Sequence, residues 1–430
     1  MADRACQAVV KLALEPEWEA KFEPNSYGFR PGRSAHDAIA AIFCAICRKA
    51  KLVYDADIEK CFDRIDRQAL LDKIQAPHFI KRLIRDWLEA GILDNGQWLY
   101  PEAGTPQGGA RSVSPLLAAK RIALHGFEKA IKSVSKKYRI IVIRYADDGD
   151  VPIAVIICED LETLKQAIAC AEKWLAGMGL KIKASKSRIT HTLEEYEGNV
   201  GFDFLGFNVR QYTVGQYRTT TYRGRPGYKT LIKPSAKGIK RHIEAIGEMV
   251  GQHSGAPQAE LIAKLNPVIR GWALYYRTCV AKHTFSKIDK HIRYQLIRWA
   301  RRRHPGKTPG WRRRRYWRRQ EMRDVFSDGK YTLNYYRDMP IRRHVKVRGD
   351  KSPYDGDWVY WSERMGRDPT RPRRITKLLK EQKGRCGKCG LHFWTEDVIE
   401  VHHRDGNREN HRYTNLVLLH GHCHDQTPSE

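Results

Sequence analysis

The sequence has no long apolar run and no apolar start. Uncharged apolar segments such as Val151–Cys158 are far shorter than the roughly 20 residues that span a bilayer. The first residues, MADRACQAVVKLALEPEWE, carry acids where a secretory signal would be apolar. These features exclude a membrane protein and predict a cytoplasmic location with no membrane partner.

Acidic residues are scarce as well. The 430 residues hold 49 Asp and Glu against 78 Lys and Arg, which gives a formal net charge of +29. A surface that is so positive repels itself unless it lies beside a polyanion. The 41% hydrophobic content is too high for a disordered basic tail. We therefore expect a nucleic-acid-binding protein of two or three folded domains.

Two acidic segments each follow an apolar, β-rich stretch. VYDADIEKCFD (53–63) contains Asp57, and IIVIRYADDGDVPIAVII (140–157) is predicted to form a β-hairpin with Asp147 and Asp148 at its turn. Carboxylates on neighbouring strands can hold Mg²⁺ for phosphoryl transfer. The alternative is that the two acids simply favour a tight turn. Between the segments, GTPQGGARSVSPLLA (104–118) is a glycine-rich loop suited to close approach of a nucleotide.

The order of these segments resembles the reverse transcriptases encoded by group II introns. The matching segments are NSYGFRPGRSAHDAI (25–39), ADIEKCFDRID (56–66), GTPQGG with SPLLA (104–118), RYADD (144–148), GLKIKASKSRITHT (179–192) and FDFLGFNVRQY (202–212). The resemblance implies a polymerase palm that uses dNTPs, with Asp57, Asp147 and Asp148 as the Mg²⁺ ligands. It also implies that Phe62 crowds a ribose 2′-hydroxyl, that Gln107 lines the nucleotide pocket and that Lys186 lies near the primer end.

The sequence departs from the pattern of that family at three places. It begins at the second block, so we expect incomplete fingers, and it differs at residues 110–121 and 149–152. Insertions beside a catalytic strand can change which face a side chain occupies. A second interpretation therefore stays open: a remnant that binds intron RNA and DNA without polymerising, with nicking as its only catalysis.

The middle of the chain is helical and basic. Residues 216–300 resemble the thumb-like maturase domain of the same family, which implies that intron RNA is a partner. We expect Trp272, Tyr275, Tyr276 and Trp299 to divide between base stacking and the core. Residues 301–320 contain nine Arg and one Lys with no acid, so we expect contacts with phosphates. The predicted nucleic-acid-binding residues are Arg301, Arg302, Arg303, Arg312, Arg313, Arg314, Arg315, Arg318 and Arg319.

The last sixty residues are rich in Cys and His. Cys386 and Cys389 form one pair and His420 and Cys423 another, each with two residues between its members. This spacing is typical of a structural Zn²⁺ site in a domain too small to be stable alone.

The same segment has a predicted strand with His402 and His403, then Asn415, then a helix with His424. This order resembles the ββα-metal fold of HNH nucleases. That resemblance implies His402 and His424 as ligands of a catalytic Mg²⁺ or Mn²⁺, His403 as the general base for a water, and Asn415 as the residue that positions His403. The alternative is a purely structural zinc module.

Together these observations predict an α+β protein with a right-hand polymerase-like palm and partial fingers. The predicted domains are the palm and fingers (1–215), a helical thumb and maturase domain (216–300), a basic DNA-binding segment (301–370) and an HNH endonuclease (371–430). The predicted function is reverse transcription, intron splicing and DNA nicking in target-primed intron mobility. Intron RNA and target DNA are the expected partners, and a homodimer stays open.

Overall fold

The computed structural model describes residues 2–59, 65–90, 92–94, 97–99, 121–146, 153–214 and 227–427. Four of the predicted site residues, Phe62, Gln107, Asp147 and Asp148, lie outside these ranges. Within them, we find no helix whose length and apolar content would let it cross a membrane.

The N-terminal half mixes helices and strands. The helices are α1 (Ala2–Lys21), α2 (Ala35–Ile46), α3 (Arg67–Lys73), α4 (His78–Glu89), α5 (Phe127–Lys132) and α6 (Leu161–Ala176). The strands are β1 (Leu52–Asp57), β2 (Ile92–Asp94), β3 (Gln97–Leu99), β4 (Ile141–Tyr145), β5 (Ile153–Cys158), β6 (Arg188–His191), β7 (Phe202–Phe204) and β8 (Phe207–Thr213).

The C-terminal half begins with a strand and is then mostly helical. Its helices are α7 (Ala236–Gln252), α8 (Gln258–Tyr276), α9 (Lys282–Arg303), α10 (Pro309–Tyr316), α11 (Trp358–Arg367), α12 (Arg373–Glu381) and α13 (Gly421–Asp425). Its strands are β9 (Tyr228–Pro234), β10 (Trp317–Gln320), β11 (Arg323–Phe326), β12 (Ile399–His403) and β13 (Leu416–His420). The mixture of strands and helices confirms the predicted α+β class.

Several helices begin where the sequence supplies a side-chain acceptor. The Asp66 carboxylate accepts from the N–H of Ala69 at the start of α3, and Asp160 does the same for α6. Ser235, Thr308 and Asp357 cap α7, α10 and α11. Each cap satisfies one of the N–H groups that the first turn leaves free.

The central sheet has the order β4-β5-β1-β6, with every neighbouring pair antiparallel. The predicted hairpin is therefore confirmed in its two strands, β4 and β5. In the register of this sheet Asp57 lies opposite Ile153, and Ile153 lies opposite Tyr145. One row across three strands thus joins Asp57 to a residue two positions before Asp147.

Two apolar cores cover the two faces of this sheet. Val53, Val155 and Ile157 belong to a core that also holds side chains of α2, α8 and α9. Tyr54 and Ile156 point to the other face, where α1 and α6 pack. Because side chains alternate along a strand, Asp55 and Asp57 lie on the same face as Val53.

The helical region begins later than the sequence predicts. GYKTLIKP, which we placed in the helical domain 216–300, contains β9, and β9 pairs with β8 over the whole length of both strands. The resulting sheet β7-β8-β9 extends past the predicted boundary at residue 215. Ile232 of β9 packs in the same core as side chains of α2, and this packing favours a strand here although the residues that follow are helical.

A third, smaller core belongs to the C-terminal unit. Met365 of α11 and Leu378 and Leu379 of α12 pack against Phe393 and the apolar side chains of β13. Strands β12 and β13 pair antiparallel, and α13 follows directly. This ββα arrangement agrees with the predicted element order.

Candidate functional site

The first candidate site lies at the end of β1. Asp57 is the last residue of that strand, and the chain segment before β6 is bonded to its backbone on both sides. The Lys183 N–H donates to the carbonyl of Asp57 at 2.7 Å, and the Asp57 N–H donates to Ser187 Oγ at 3.1 Å. The turn between Lys183 and Ser187 therefore brings Lys186 to the carboxylate.

The Asp57 carboxylate is only partly satisfied. Lys186 Nζ lies 3.5 Å from Asp57 Oδ2, while Oδ1 is buried and has no hydrogen-bond partner among the described residues. A buried carboxylate oxygen without a partner is costly unless a donor or a cation reaches it. The donor set therefore fits a hard divalent cation such as Mg²⁺.

Asp55 is a neighbouring carboxylate that the sequence analysis missed. Burial raises the pKa of Asp55 to about 7; Arg188 opposes this shift, and Asp57 adds to it. Asp55 and Asp57 are two residues apart on a predicted strand, and this spacing alone indicates that both acids lie on one face of the sheet. Near neutral pH, Asp55 is therefore partly protonated and places less than one full negative charge beside Asp57.

The loop of residues 25–29 lies directly against the end of β4. The Tyr27 N–H donates to the carbonyl of Arg144 at 3.0 Å, and the Arg144 N–H donates to that of Asn25 at 2.9 Å. A Cβ at Gly28 would lie 2.2 Å from the backbone N of Ala146, closer than atoms approach. Only glycine fits here, so the loop holds in place the residue that precedes Asp147.

The second candidate site is formed by the four predicted zinc ligands. One donor atom from each of Cys386, Cys389, His420 and Cys423 lies within 4.8 Å of the others. In the part of the chain that the structure describes, this is the one cluster of three or more such groups at that spacing. The donor set of three thiols and one imidazole suits Zn²⁺.

Local interactions prepare two of these ligands. Burial alone would raise the pKa of Cys386, but backbone N–H groups of Cys389, Lys388 and His420 lower it to about 6. Asp397 Oδ2 lies 3.2 Å from His420 Nε2, which leaves Nδ1 to face Cys389 Sγ at 3.4 Å. A carboxylate behind a histidine ligand is a common outer-shell feature of metal sites.

His402 and His424 come together from β12 and α13. Their ring centroids are 5.5 Å apart. Glu400, which the sequence analysis missed, lies on the same face of β12 and places Oε2 2.9 Å from His424 Nδ1. Burial lowers the pKa of His402, and nearby positive groups add to the effect, which favours the neutral imidazole that binds metals.

His403 and Asn415 do not contact each other through a side-chain hydrogen bond among the described residues. Asn415 Nδ2 donates to Asp405 Oδ1 at 2.7 Å and to the carbonyl of Asn410 at 3.0 Å, so it fixes the loop after β12. His403 Nε2 instead lies 3.3 Å from His411 Nδ1. Asn415 can therefore position His403 only through that loop.

The predicted basic surface lies on α9, α10 and β10. Two of its arginines are partly buried: Arg303 donates to the carbonyls of Ser254 and Ala256, and Arg312 donates to that of His304. Through these hydrogen bonds the two arginines hold neighbouring loops in place. The remaining members are exposed: Arg301, Arg302, Arg313, Arg314, Arg315, Arg318 and Arg319.

The predicted stacking aromatics of the helical region pack mainly inside the protein. Tyr276 and Trp299 are buried, and Trp299 Nε1 donates to the carbonyl of His253 at 2.8 Å. Trp272 and Tyr275 are partly buried against the same core. Among the predicted nucleic-acid-binding groups of this region, the exposed ones are therefore mainly the basic side chains.

Two family models match long parts of the chain. Residues 1–209 match the reverse transcriptase (RNA-dependent DNA polymerase) model, and residues 239–317 match the group II intron, maturase-specific domain. The second match begins just after β9, in agreement with the start of the helical region.

Curated relatives point the same way. The chain is 36% identical over 343 residues to an uncharacterized 91 kDa protein in the cob intron of Schizosaccharomyces pombe, covering 64% of this chain and 40% of that protein. It is 37% identical over 139 residues to the group II intron-encoded protein LtrA of Lactococcus lactis, covering 32% of this chain and 22% of LtrA. It thus spans less than half the length of either relative.

A shorter match concerns a nuclease. The chain is 40% identical over 57 residues to the H-N-H endonuclease F-TflIV of Escherichia phage T5, covering 12% of this chain and 25% of that protein. The two domain matches and the intron-encoded relatives agree with one another. The chain is therefore similar to the reverse transcriptases over residues 1–209 and to the group II intron, maturase-specific domain over residues 239–317.

Proposed function

We propose that this protein copies RNA into DNA with Mg²⁺ and dNTPs at a site formed by Asp57, Asp147 and Asp148. The observation that carries the proposal is the single row Asp57–Ile153–Tyr145 across the sheet, together with the unpartnered Oδ1 of Asp57. In the sequence, Asp147 follows Tyr145 by two residues.

The chemistry follows from the residues that are present. Mg²⁺ held by these carboxylates would favour the ionised 3′-hydroxyl of a primer and offset charge on the reacting phosphate. Lys186 neutralises part of the Asp57 charge and faces solvent, where a primer terminus would lie. We also propose Phe62 as the group that rejects a ribose 2′-hydroxyl and Gln107 as part of the nucleotide pocket, as the family resemblance implies.

Primer extension tests this proposal directly. The purified 430-residue protein would be given an RNA template, a DNA primer, Mg²⁺ and four dNTPs. Full-length product supports the polymerase. Replacing Asp147 and Asp148 together by Ala should abolish synthesis and leave RNA affinity nearly unchanged. If the unaltered protein binds RNA tightly but makes no DNA, the remnant interpretation replaces the polymerase.

We propose further that α7 to α10 bind the group II intron RNA and promote its splicing. The exposed arginines between 301 and 319 contact phosphates, so binding should weaken steeply with salt. Replacing Arg314, Arg315, Arg318 and Arg319 by Gln should flatten the dependence of log affinity on log salt. An unchanged slope in that variant would contradict the assignment of this surface.

We propose that residues 371–430 form a nuclease that nicks target DNA. Zn²⁺ at Cys386, Cys389, His420 and Cys423 would hold the unit together. His402 and His424 would hold Mg²⁺ or Mn²⁺, with His403 as general base. In this division residues 301–370, which include the arginines proposed to contact intron RNA, also bind target DNA, and nicking and copying cooperate in target-primed intron mobility.

The nuclease is tested with the His403→Ala variant. We expect nicking of plasmid DNA to stop while the zinc content of the protein stays the same. Loss of zinc would show that the structural and catalytic ligands are divided wrongly. If the unaltered protein holds zinc but never nicks DNA with Mg²⁺ or Mn²⁺, the unit is a structural zinc module.

A further inference from the structure

A cavity of about 330 Å³ lies between the palm and the C-terminal unit. One wall is the segment 32–37, which leads from the Gly28 loop into α2. The opposite wall is formed by residues 344–348 and by α11, and Thr395 of the C-terminal unit also lines it. We call this space the junction cavity.

The lining of the junction cavity is positive. It holds six Arg or Lys side chains and three acids, and each acid is already paired with a basic group of the same lining. The pairs are Asp37 with Arg364 and His344, Glu363 with Arg367, and Asp368 with Arg371. The remaining cations of the lining, Arg33, Lys346 and Arg348, have no carboxylate within ion-pair distance among the described residues.

Arg33 is a buried guanidinium with no carboxylate within ion-pair distance among the described residues, although Glu19 and Asp37 act on it from farther away. Its side chain donates to the carbonyls of Pro24, Gly349 and Lys351 at 2.7, 2.9 and 3.1 Å, and the residue is only 9% exposed. Burial lowers its pKa to about 10, and the neighbouring Arg30 adds to this shift. An anion in the cavity would stabilise the charged guanidinium, because carbonyls solvate the charge but do not neutralise it.

Two cations of the lining are accessible to solvent. Lys346 is partly exposed and Arg348 is exposed. The Arg348 N–H donates to the hydroxyl of Tyr360 at 3.0 Å, and the guanidinium lies 5.3 Å from the centre of the Tyr360 ring. The lining thus combines two accessible positive side chains with one aromatic ring, a pairing common in sites for single-stranded nucleic acid.

The cavity is lined from both the palm and the C-terminal unit. On the palm side, the segment 32–37 continues from Gly28, which contacts Ala146. On the other side, Trp394 Nε1 donates to the carbonyl of Pro353, and Ser362 Oγ lies 3.3 Å from His392 Nδ1. The two parts of the protein therefore contact each other around the cavity.

We propose that the junction cavity binds one phosphate-bearing nucleotide of a single-stranded polynucleotide. The positive lining selects a phosphate, and the volume admits a single nucleotide but not a duplex. The inference rests on the proposed nucleic-acid-binding function and adds a site outside the arginine cluster at 301–319. Both DNA and RNA carry this phosphate chemistry, and the experiment distinguishes them.

The test measures salt dependence with the full chain. Fluorescence anisotropy would follow a fluorescein-labelled single-stranded DNA and an RNA of the same sequence over a range of KCl. Removing two phosphate contacts with Lys346→Gln and Arg348→Gln should reduce the slope of log affinity against log salt by about 1.4, since each contact on a single strand contributes roughly 0.7. The polymer that shows the reduction is the ligand of the cavity.

Two further variants make the result specific. The control is a double variant, Lys129→Gln with Lys165→Gln, which removes two exposed cations of α5 and α6. It should leave the slope of log affinity against log salt unchanged. Glu363→Lys adds a cation to the lining and should strengthen binding of the same polymer.

If the slope is unchanged for both polymers in the Lys346 and Arg348 variant, the junction cavity does not bind nucleic acid. If the unaltered protein binds neither polymer, the proposed function itself fails. The two failures are therefore distinguishable within one set of titrations.

Discussion

The two candidate metal sites are built in opposite ways. In the palm, Asp57 and the end of β4 are nearly ninety positions apart, and only the register of the sheet brings them together. In the C-terminal unit, all four thiol and imidazole donors lie between Cys386 and Cys423. The palm site therefore depends on a fold that is stable without its metal, whereas the C-terminal site depends on short loops.

The cores of the two regions explain this difference. Among the described residues, the core below the palm contains thirty buried residues, whereas that of the C-terminal unit contains ten, two of which are the proposed zinc ligands Cys386 and Cys423. A core this small rarely stabilises a domain alone. Metal binding should therefore decide whether the C-terminal unit folds and should matter little for the folding of the palm.

The largest expected effect follows from Cys386→Ser. Structural zinc contributes about 10 kcal/mol or more to small domains, so loss of a ligand should release zinc and unfold residues 386–423. Zinc analysis should show no bound zinc, and hydrogen exchange should show loss of protection in β13. Primer extension should continue, because the palm has its own cores.

A matched cysteine variant checks this result. Cys44 is exposed and takes no part in the cluster, so Cys44→Ser should keep zinc and exchange protection. If the Cys386→Ser variant keeps its zinc, or if it no longer extends a primer, the two sites are not independent in the way proposed.

The next effect concerns the palm alone. Asp57→Asn removes the charge of a proposed metal ligand, which should cost several kcal/mol in the transition state and lower the rate of primer extension by roughly 10³-fold. The zinc content and the nicking rate should not change. Asp86→Asn on α4, an exposed carboxylate, serves as the control, and equal losses in the two variants would refute a special role for Asp57.

A smaller effect comes from the Gly28 contact. Gly28→Ala places a methyl group against the backbone of Ala146, and overpacking of this kind costs about 1–3 kcal/mol. We expect a lower kcat for primer extension with unchanged RNA affinity, because the shifted residue precedes Asp147. Gly251→Ala, where the added Cβ meets open space, should leave kcat unchanged, and a loss of RNA affinity in Gly28→Ala would indicate a wider structural change.

The sequence predicts features that are set by local pattern. Alternation of apolar residues predicts β1 and the β4–β5 pair, and the spacing of Cys and His predicts the zinc donors that the structure brings together. Asp55 was within reach as well, because its spacing from Asp57 follows the same alternation.

Other features depend on contacts between distant residues, which no local pattern reports. Asp37 accepts hydrogen bonds from the N–H of Val347 and from Arg364, across more than three hundred positions. Arg303 belongs to a basic run but fastens a loop, because its helix ends beside the carbonyls of Ser254 and Ala256. The tertiary position of a residue, not its neighbours in sequence, decides such cases.

The smallest expected effect concerns His242 of α7, which lies among the helices that pack on one face of the central sheet. The His242 ring stacks on Trp272 with centroids 4.7 Å apart, and Nε2 lies 2.5 Å from the hydroxyl of Tyr336. Burial lowers the pKa of His242 to about 4, below the value of about 6.5 in an unfolded chain. The unfolded state therefore binds the proton more readily, and stability that is complete above pH 6.5 is lost as the pH falls toward 4.

Between pH 7.5 and pH 5.0 this group should cost about 2 kcal/mol of the free energy of unfolding. Urea unfolding followed by tryptophan fluorescence measures the loss in the unaltered protein and in His242→Gln, which lacks the titrating group. The loss should shrink by about that amount in His242→Gln, whereas His291→Gln, an exposed position, should behave like the unaltered protein. An equal loss in all three proteins would show that the loss of stability in acid arises from groups other than His242.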